Sequence, residues 1–276
     1  MIVGLNAGGP LPPTDRSDIV RLGVATRTAL DVPTRESVRL VLSTLVGLRM
    51  PLVVLHGQAM STTAIAAHAV DVYGLARGEG LAAFDIEPQN EPDLADMPPG
   101  AMGERCLAVR EALRGAGFTG RIYGGCPSNL HSKGVAYLKA MRWDTLPADL
   151  LSSAHWYAKD NKPGVGHHGP LSEDLARAQD ACAGRMPIIT ETGYHNALMG
   201  WWIFKRRLED PRRATAIERD LMTMAACGVD RADVYQINCG PSAAYIDHFG
   251  IRDETNARRW LQPAYAVQRV AQRMNP

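Results

Sequence analysis

Two observations predict that the sequence folds as an α/β protein, a single (β/α)8 barrel. Short apolar runs rich in β-branched residues alternate with longer segments of helical period along the chain. There are eight such runs, and parallel strands need a crossover of helical length between each neighbouring pair. We therefore expect residues 1–276 to form one barrel domain.

The predicted strands are the short apolar runs rich in β-branched residues: 2–6, 19–25, 52–56, 82–87, 121–125, 150–155, 187–191 and 233–238. The predicted helices lie between and after them: 34–49, 62–76, 103–116, 134–141, 172–183, 210–227 and 260–274. The first crossover is the exception, because it contains Pro10, Pro12 and Pro13, and proline disrupts a helix interior. We expect a reduced first helix there, a single turn near Thr14 or Asp15, or none at all.

An open, doubly wound sheet is the competing α/β architecture. Its dinucleotide-binding form would show GxGxxG after the first strand, and the glycines of residues 4–9 do not have that spacing. The closed barrel is therefore favoured.

The composition is that of an ordinary globular protein. The 276 residues (30.0 kDa) are 46% hydrophobic and 21% charged, and 30 Lys and Arg against 29 Asp and Glu leave a net charge of +1. This balance gives no support for a nucleic-acid partner, and no apolar stretch reaches the roughly 20 residues of a membrane span. The N-terminus lacks a signal-peptide pattern, so a cytoplasmic location and export with the signal removed both stay open.

The five cysteines, an odd number without a CxxC pair, argue against a disulfide framework or a structural zinc site. We interpret them as small buried apolar residues. We expect no metal ion, no organic cofactor and a monomeric protein.

Polar side chains collect where the predicted strands end, which is where barrel enzymes place their chemistry. Strand four ends at Asn90 and Glu91, and strand seven ends at Glu191. Two glutamates at strand ends suit the cleavage of a glycosidic bond, because one must be an acid and the other an ionised nucleophile or base. The other candidates around the mouth are Arg21, His56, His155, Trp156, Tyr157, Trp201, Trp202 and Gln236.

The order of these motifs resembles clan A of the glycoside hydrolases, barrel enzymes with the acid/base on strand four and the nucleophile on strand seven. Asn90-Glu91-Pro92 is similar to the clan's Asn-Glu-Pro motif, and residues 188–193 are similar to its nucleophile strand. Families 39 and 5 are the nearest, and the resemblance covers strands two to seven. The remaining matches are Arg21, His56-Gly57, Glu87, His155 and Tyr157.

The resemblance implies a retaining enzyme that cleaves β-type linkages, with Glu91 as acid/base and Glu191 as nucleophile. It also implies that Asn90 binds the sugar 2-hydroxyl and that Tyr157 hydrogen-bonds the nucleophile. An arginine beside the nucleophile, for which Arg21 is the candidate, would lower its pKa.

The remaining candidates have supporting roles. His56 and His155 would line the sugar site, and Trp156, Trp201 and Trp202 offer flat faces for sugar rings. Glu87 lies inside strand four and is expected to pair with a buried arginine. Because little chain remains for lids, we expect endo-action on a polysaccharide, with exo-action on small glycosides as the alternative.

Three other classes remain open. A metal-dependent barrel hydrolase would use His56, His155 and His167 or His168, but strand one lacks the HxH pattern of such sites. A non-catalytic, glycan-binding barrel would need neither glutamate. A phosphate-handling barrel would need a glycine-rich loop or a lysine at a strand end, and the predicted strand ends have no lysine.

Overall fold

Eight parallel strands close into a barrel. The computed structural model describes residues 1–7, 10–30, 34–55, 57, 59–194, 210–235, 238–239, 252–253, 259–260 and 262–274. The strands pair in sequence order and β8 pairs with β1, which confirms the predicted architecture. They are β1 (Ile2–Ala7), β2 (Ala25–Leu30), β3 (Arg49–Leu55), β4 (Asp85–Glu87), β5 (Ile122–Gly125), β6 (Leu150–Tyr157), β7 (Ile188–Gly193) and β8 (Arg231–Val234).

Helices follow the strands around the outside of the barrel. Those in the described part of the chain are α1 (Pro13–Leu22), α2 (Arg35–Leu45), α3 (Thr62–Gly78), α4 (Pro99–Gly115), α5 (Ser132–Ala140), α6 (Leu171–Ala181), α7 (Asp210–Ala226) and α8 (Gln262–Met274). Three two-residue strands form a small sheet between β8 and α8: β9 (Asn238–Cys239), β10 (Arg252–Asp253) and β11 (Arg259–Trp260).

The first crossover differs from the prediction. Helix α1 has ten residues where a single turn was the expectation, and β2 begins at Ala25 rather than at residue 19. Pro13 lies in the first turn of α1, where its missing N–H has no intrahelical partner to lose. Gly23 ends the helix with φ of 69°, a left-handed conformation that glycine adopts without steric cost. The proline that argues against a helix in the sequence therefore begins one.

The core has two layers. Between the barrel and the helices, aliphatic side chains such as Leu42 of α2 and Leu175 of α6 belong to one continuous buried cluster. A smaller cluster joins Leu52, Tyr123 and Ile188 from β3, β5 and β7. Alternate strands contribute one layer of the interior in a (β/α)8 barrel, so this cluster fills the space inside it.

No helix in the described part of the chain is long and apolar enough to cross a membrane. Cys106, Cys126 and Cys182 are buried free thiols, and Cys227 is a half-buried one. The first three therefore fit the interpretation as small buried side chains, although Cys126 also has polar contacts.

Candidate active site

The carboxylate of Glu191, on β7, accepts three hydrogen bonds. Its Oε1 accepts from Nη1 of Arg27 at 2.6 Å and from Nδ2 of Asn6 at 3.1 Å. Its Oε2 accepts from the hydroxyl of Tyr157 at 2.8 Å. The donors lie on β2, β1 and β6, so the closure of the barrel assembles the surroundings of this carboxylate.

These contacts keep Glu191 ionised. Burial by itself raises the pKa of a carboxyl group, but the charges of His155 and Arg27 and the hydrogen bonds from Tyr157 and Arg27 lower the pKa of Glu191 below its ordinary value. About a tenth of the side chain is exposed (10%), so the carboxylate is buried without being sealed from the mouth of the barrel. An ionised carboxylate held by fixed donors is suited to act as a nucleophile.

Glu91 follows β4 and lies close to Glu191. Its φ of 42° is a left-handed conformation, uncommon for a glutamate. Its side chain is 27% exposed and is therefore the more open of the two. One oxygen from each glutamate and a ring nitrogen of His155 all lie within 4.8 Å of one another. Two neighbouring carboxyl groups thus lie in different environments, as paired acid and nucleophile roles require.

Arg27 connects the strands that carry the two glutamates. Its Nη2 donates to Oε2 of Glu87 at 3.1 Å and to Oδ1 of Asn90 at 2.6 Å, while its Nη1 donates to Glu191. Glu87 is fully buried and also accepts from the hydroxyl of Ser153 at 2.5 Å. Burial lowers the pKa of an arginine, but the carboxylates of Glu191 and Glu87 raise that of Arg27 above its ordinary value. Arg27 is therefore the buried, charged partner expected for Glu87, and it also orients Asn90.

His155 bridges the two candidate catalytic carboxyl groups. A register shift after Ala154 in the pairing of β6 with β7 sets His155 beside Glu191. Its Nδ1 lies 3.0 Å from Oε1 of Glu91 and 3.5 Å from Oε2 of Glu191. Burial lowers the pKa of a histidine, but Cys126, Glu191 and the hydrogen bond to Glu91 raise that of His155 well above its ordinary value.

The prediction for Arg21 is wrong. Arg21 lies on α1 with 69% of its side chain exposed, and it pairs with Asp18 at 2.9 Å. The error follows from the position of strand two, because the arginine that this strand carries is Arg27.

The prediction for Trp156 as a sugar-binding face is also wrong. Side chains alternate along a strand, so Trp156 faces the helices while His155 and Tyr157 face the site. Trp156 is fully buried, and its Nε1 donates to Oδ2 of Asp174 on α6 at 2.9 Å. Asp174 also accepts from two backbone N–H groups of the β6–α6 connection, so this tryptophan supports that connection.

The structure joins five of the predicted residues in one network of hydrogen bonds and close contacts: Asn90, Glu91, His155, Tyr157 and Glu191. Four others lie outside the described residues: His56, Trp201, Trp202 and Gln236.

Sequence reasoning missed three members of this network. Asn6 follows the apolar run of β1, so the rule that singled out the other strand ends also applies to it. Arg27 lies outside the predicted second strand, residues 19–25, which contains Arg21 instead. Cys126, interpreted only as an apolar residue, lies 3.2 Å from Nε2 of His155, and the sequence contains no signal for that contact.

The spacing of Glu91, His155 and Glu191 would admit a divalent cation. However, protein donors already engage both oxygens of Glu191, and one donor is the guanidinium of Arg27 at 2.6 Å. A cation at this carboxylate would face that positive charge at short range in a buried setting. The arrangement therefore fits acid–base and nucleophilic chemistry better than a metal centre.

No protein-family model matches the chain, and no curated protein matches it in sequence. Solved structures do match it over nearly its whole length. An exo-beta-1,4-mannosidase from Opitutaceae bacterium strain TAV5 is 15% identical with a TM-score of 0.69, covering 99% of this chain and 59% of its own. An endo-beta-1,4-glucanase from Xanthomonas axonopodis pv. citri, a triple mutant, is 14% identical with a TM-score of 0.66, covering 99% of both chains.

A GH128 endo-beta-1,3-glucanase from Amycolatopsis mediterranei is 14% identical with a TM-score of 0.59, covering 97% of this chain and 98% of its own. This chain thus spans somewhat less than two thirds of the mannosidase and nearly all of the two glucanases. At these identities the likeness establishes the fold, which is that of barrel glycoside hydrolases. The resemblance drawn from the sequence is confirmed at that level.

Proposed function

We propose that this protein is a retaining glycoside hydrolase that cleaves β-type glycosidic bonds, with Glu191 as nucleophile and Glu91 as general acid/base. The observation that supports this most directly is the close approach of the two carboxyl groups, with an oxygen of each within 4.8 Å of the other. Retaining enzymes hold these groups about 5 to 5.5 Å apart, whereas inverting enzymes need about 6.5 to 9.5 Å to admit a water molecule. The short spacing favours retention.

The reaction is a double displacement. In the first step an oxygen of Glu191 attacks the anomeric carbon, the bond to the leaving oxygen breaks, and Glu91 gives its proton to that oxygen. In the second step Glu91 takes a proton from water, the water oxygen attacks the anomeric carbon, and the ester bond to Glu191 breaks. Arg27 and Tyr157 donate to the Glu191 carboxylate, so they hold it in position and stabilise it as the group that leaves in the second step.

Substrate contacts follow from the same network. Oδ1 of Asn90 accepts from Arg27, and its amide N–H groups can donate to the sugar 2-hydroxyl, a contact that strengthens in the transition state. His56, Trp201, Trp202 and Gln236 stay predicted substrate contacts. We propose one catalytic domain over residues 1–276, monomeric and without a cofactor, that acts within β-linked polysaccharides. Exo-action on small glycosides is the alternative.

The direct test is to trap the covalent intermediate. The protein is incubated with 2-deoxy-2-fluoro glycosides of gluco, manno, galacto and xylo configuration, each with a dinitrophenyl leaving group, and its peptides are analysed by mass spectrometry. We expect the fluorosugar on Glu191. Glu191→Gln should lose both the label and turnover, and Glu104→Gln, which removes an exposed carboxylate of α4, should keep both.

The acid/base role has its own test. Glu91→Ala should still form the intermediate from dinitrophenyl glycosides, which need little protonation, and should release it slowly. Azide should speed release and yield a glycosyl azide of retained configuration. Turnover by Glu191→Gln, or an inverted product, would contradict the assignment. Glycan binding without turnover, unchanged in Glu91→Gln, would favour a binding barrel, and activity lost to a chelator and restored by metal would favour a metal-dependent hydrolase.

A further inference from the structure

The second ring nitrogen of His155 faces a cysteine. Nε2 of His155 lies 3.2 Å from Sγ of Cys126, and that sulfur lies 3.3 Å from Oγ1 of Thr190. All three side chains are fully buried. The pairing of β7 with β8 shifts in register between Ile189 and Thr192, which makes β7 irregular at this point. The neighbouring residues Thr190 and Glu191 can therefore both contact the network.

The backbone at Cys126 is held in an unusual conformation. Its φ is 27°, in a region that residues other than glycine rarely adopt. Such conformations cost free energy and persist where the surrounding structure fixes them, often at functional sites. The strand end after β5 thus presents the thiol to His155 rather than to the helix layer.

The donors and acceptors available at Cys126 fix the direction of its hydrogen bonds with His155 and Thr190. Burial, the main cause, and the charge of Glu87 raise the pKa of Cys126, so the sulfur is a neutral thiol with one proton. Thr190 offers an oxygen that accepts that proton. The sulfur is then an acceptor for N–H from His155, and Nδ1 is left facing Glu91.

We propose that Cys126 is a positioning residue: its thiol accepts Nε2–H of His155, donates S–H to Thr190, and so keeps Nδ1 available to share the catalytic proton with Glu91. This inference rests on the proposed acid/base role of Glu91. With Nε2–H held on the sulfur, Nδ1 and Glu91 share one proton: it lies on Nδ1 while His155 is charged, it lies on Glu91 when Glu91 protonates the leaving oxygen, and the pair regains it from water in the second step.

Other charged groups also act on the His155 ring, and they are the same in the wild type and in variants of Cys126 or Thr190. The titratable and charged groups around His155 are Glu91 after β4, Cys126 after β5, Glu191 on β7 and, one contact further, Arg27 on β2, Glu87 on β4 and Tyr157 on β6. Changing Cys126 or Thr190 alters no formal charge among the other groups. A shift in the titration of His155 is therefore attributable to the thiol contact.

The test is a pH titration of the His155 ring by NMR on protein with ¹⁵N-labelled histidine. In the wild type we expect the Nε2–H tautomer above the midpoint. Cys126→Ala should lower the midpoint by about one pH unit or more, because Nε2–H loses its acceptor. Cys126→Ser keeps a group that accepts and donates, and it should restore most of the shift. Cys182→Ala, which removes another fully buried thiol, should titrate as the wild type does.

Thr190→Val covers the case in which Cys126→Ala does not fold. It keeps the volume and removes the acceptor for S–H, so the thiol proton turns towards Nε2 and the midpoint should also fall. An unchanged midpoint in the folded Cys126→Ala or in Thr190→Val overturns the proposal. So does a fall in Cys182→Ala as large as in Cys126→Ala, because that would be a general effect of packing.

Activity adds a second readout. With any glycoside that the wild type cleaves, the basic limb of kcat/KM against pH should move down in Cys126→Ala by the same interval as the NMR midpoint, and should return in Cys126→Ser. If Glu191 is labelled and the protein is a glycosidase, but neither the NMR midpoint nor the basic limb moves in Cys126→Ala, only the positioning role of Cys126 is contradicted. A midpoint shift in a protein that cleaves no glycoside removes the proposed function and supports the thiol contact.

Discussion

Arg27 and Glu191 are 164 residues apart in the chain and meet at 2.6 Å across the mouth of the barrel. The pair is buried, and the same guanidinium also holds Glu87 and Asn90. Removing one partner of a buried ion pair leaves the other charge uncompensated. Loss of either residue should therefore lower both the stability of the protein and its activity. Its geometry depends on the planar fork of arginine, which lysine does not reproduce.

Arg27→Lys should therefore lower kcat/KM by about 100-fold, since the charge remains but the donors to Glu191 and Asn90 cannot all be kept. Steady-state kinetics on the substrate found by trapping checks this, with circular dichroism to verify folding. Arg21→Lys is the matched control, because Arg21 is exposed on α1 and should change kcat/KM by less than about twofold. Equal losses in the two variants would count against Arg27 as the arginine of the site.

Tyr157→Phe tests what keeps Glu191 ionised. The variant loses the 2.8 Å hydrogen bond to Oε2, and a bond to a charged group contributes about 1.5–3 kcal/mol, or roughly 10- to 100-fold in kcat/KM. That bond lowers the pKa of Glu191, so its loss should raise that pKa. Because the nucleophile must be ionised, kcat/KM rises with pH on the acidic side, and that limb should move to higher pH.

The control for this prediction is Tyr123→Phe. It removes a buried hydroxyl from the barrel interior that has no hydrogen-bond partner among the described residues. The acidic limb should stay in place. If both variants leave the limb at its wild-type pH, Tyr157 has no influence on the ionisation of Glu191.

The sequence suffices for the fold because strand–helix alternation is a repeated signal, and seven helices lie within a few residues of their predicted positions. It also singles out Glu91 and Glu191, since both follow apolar runs. The prediction for the first crossover is wrong because Pro13 lies at the start of α1 and not in a helix interior, and Pro at a helix start with Gly23 ten residues later is itself a helix signal. A helix bounded by Pro13 and Gly23 places strand two after residue 23, so that Arg27 and not Arg21 is the arginine of that strand.

Two site features are not encoded in any short segment. Whether Trp156 faces the site or the helices depends on the inward phase of β6, and a one-residue change in phase exchanges the faces. The contact of Cys126 with His155 joins two strand ends and depends on an unusual φ at the cysteine. Both follow from the register of closed strands, which only the assembled barrel fixes.

Trp156→Phe should destabilise the protein without impairing catalysis. The variant loses the hydrogen bond from Nε1 to Asp174 and some buried packing, which together predict a fall of about 2–4 kcal/mol in the free energy of unfolding. Urea denaturation measures that fall, and KM at a temperature where the protein is folded should stay near the wild-type value. A large rise in KM with unchanged stability would return Trp156 to the sugar site.

The N-terminal end of the barrel gives a prediction about stability alone. A Cβ at Gly4 would lie 1.9 Å from Oδ1 of Asp233, whose carboxylate holds the buried Arg231 at 2.7 Å. Gly4→Ala must displace this ion pair, so we expect a loss of at least about 3 kcal/mol in the free energy of unfolding. Gly74→Ala is the matched control, because its Cβ meets no atom within 4 Å and it lies inside α3, where alanine should stabilise by about 0.5–1 kcal/mol. Urea denaturation of both variants measures the difference, and equal stabilities would show that the barrel accommodates a methyl group at Gly4 without breaking the Arg231–Asp233 pair.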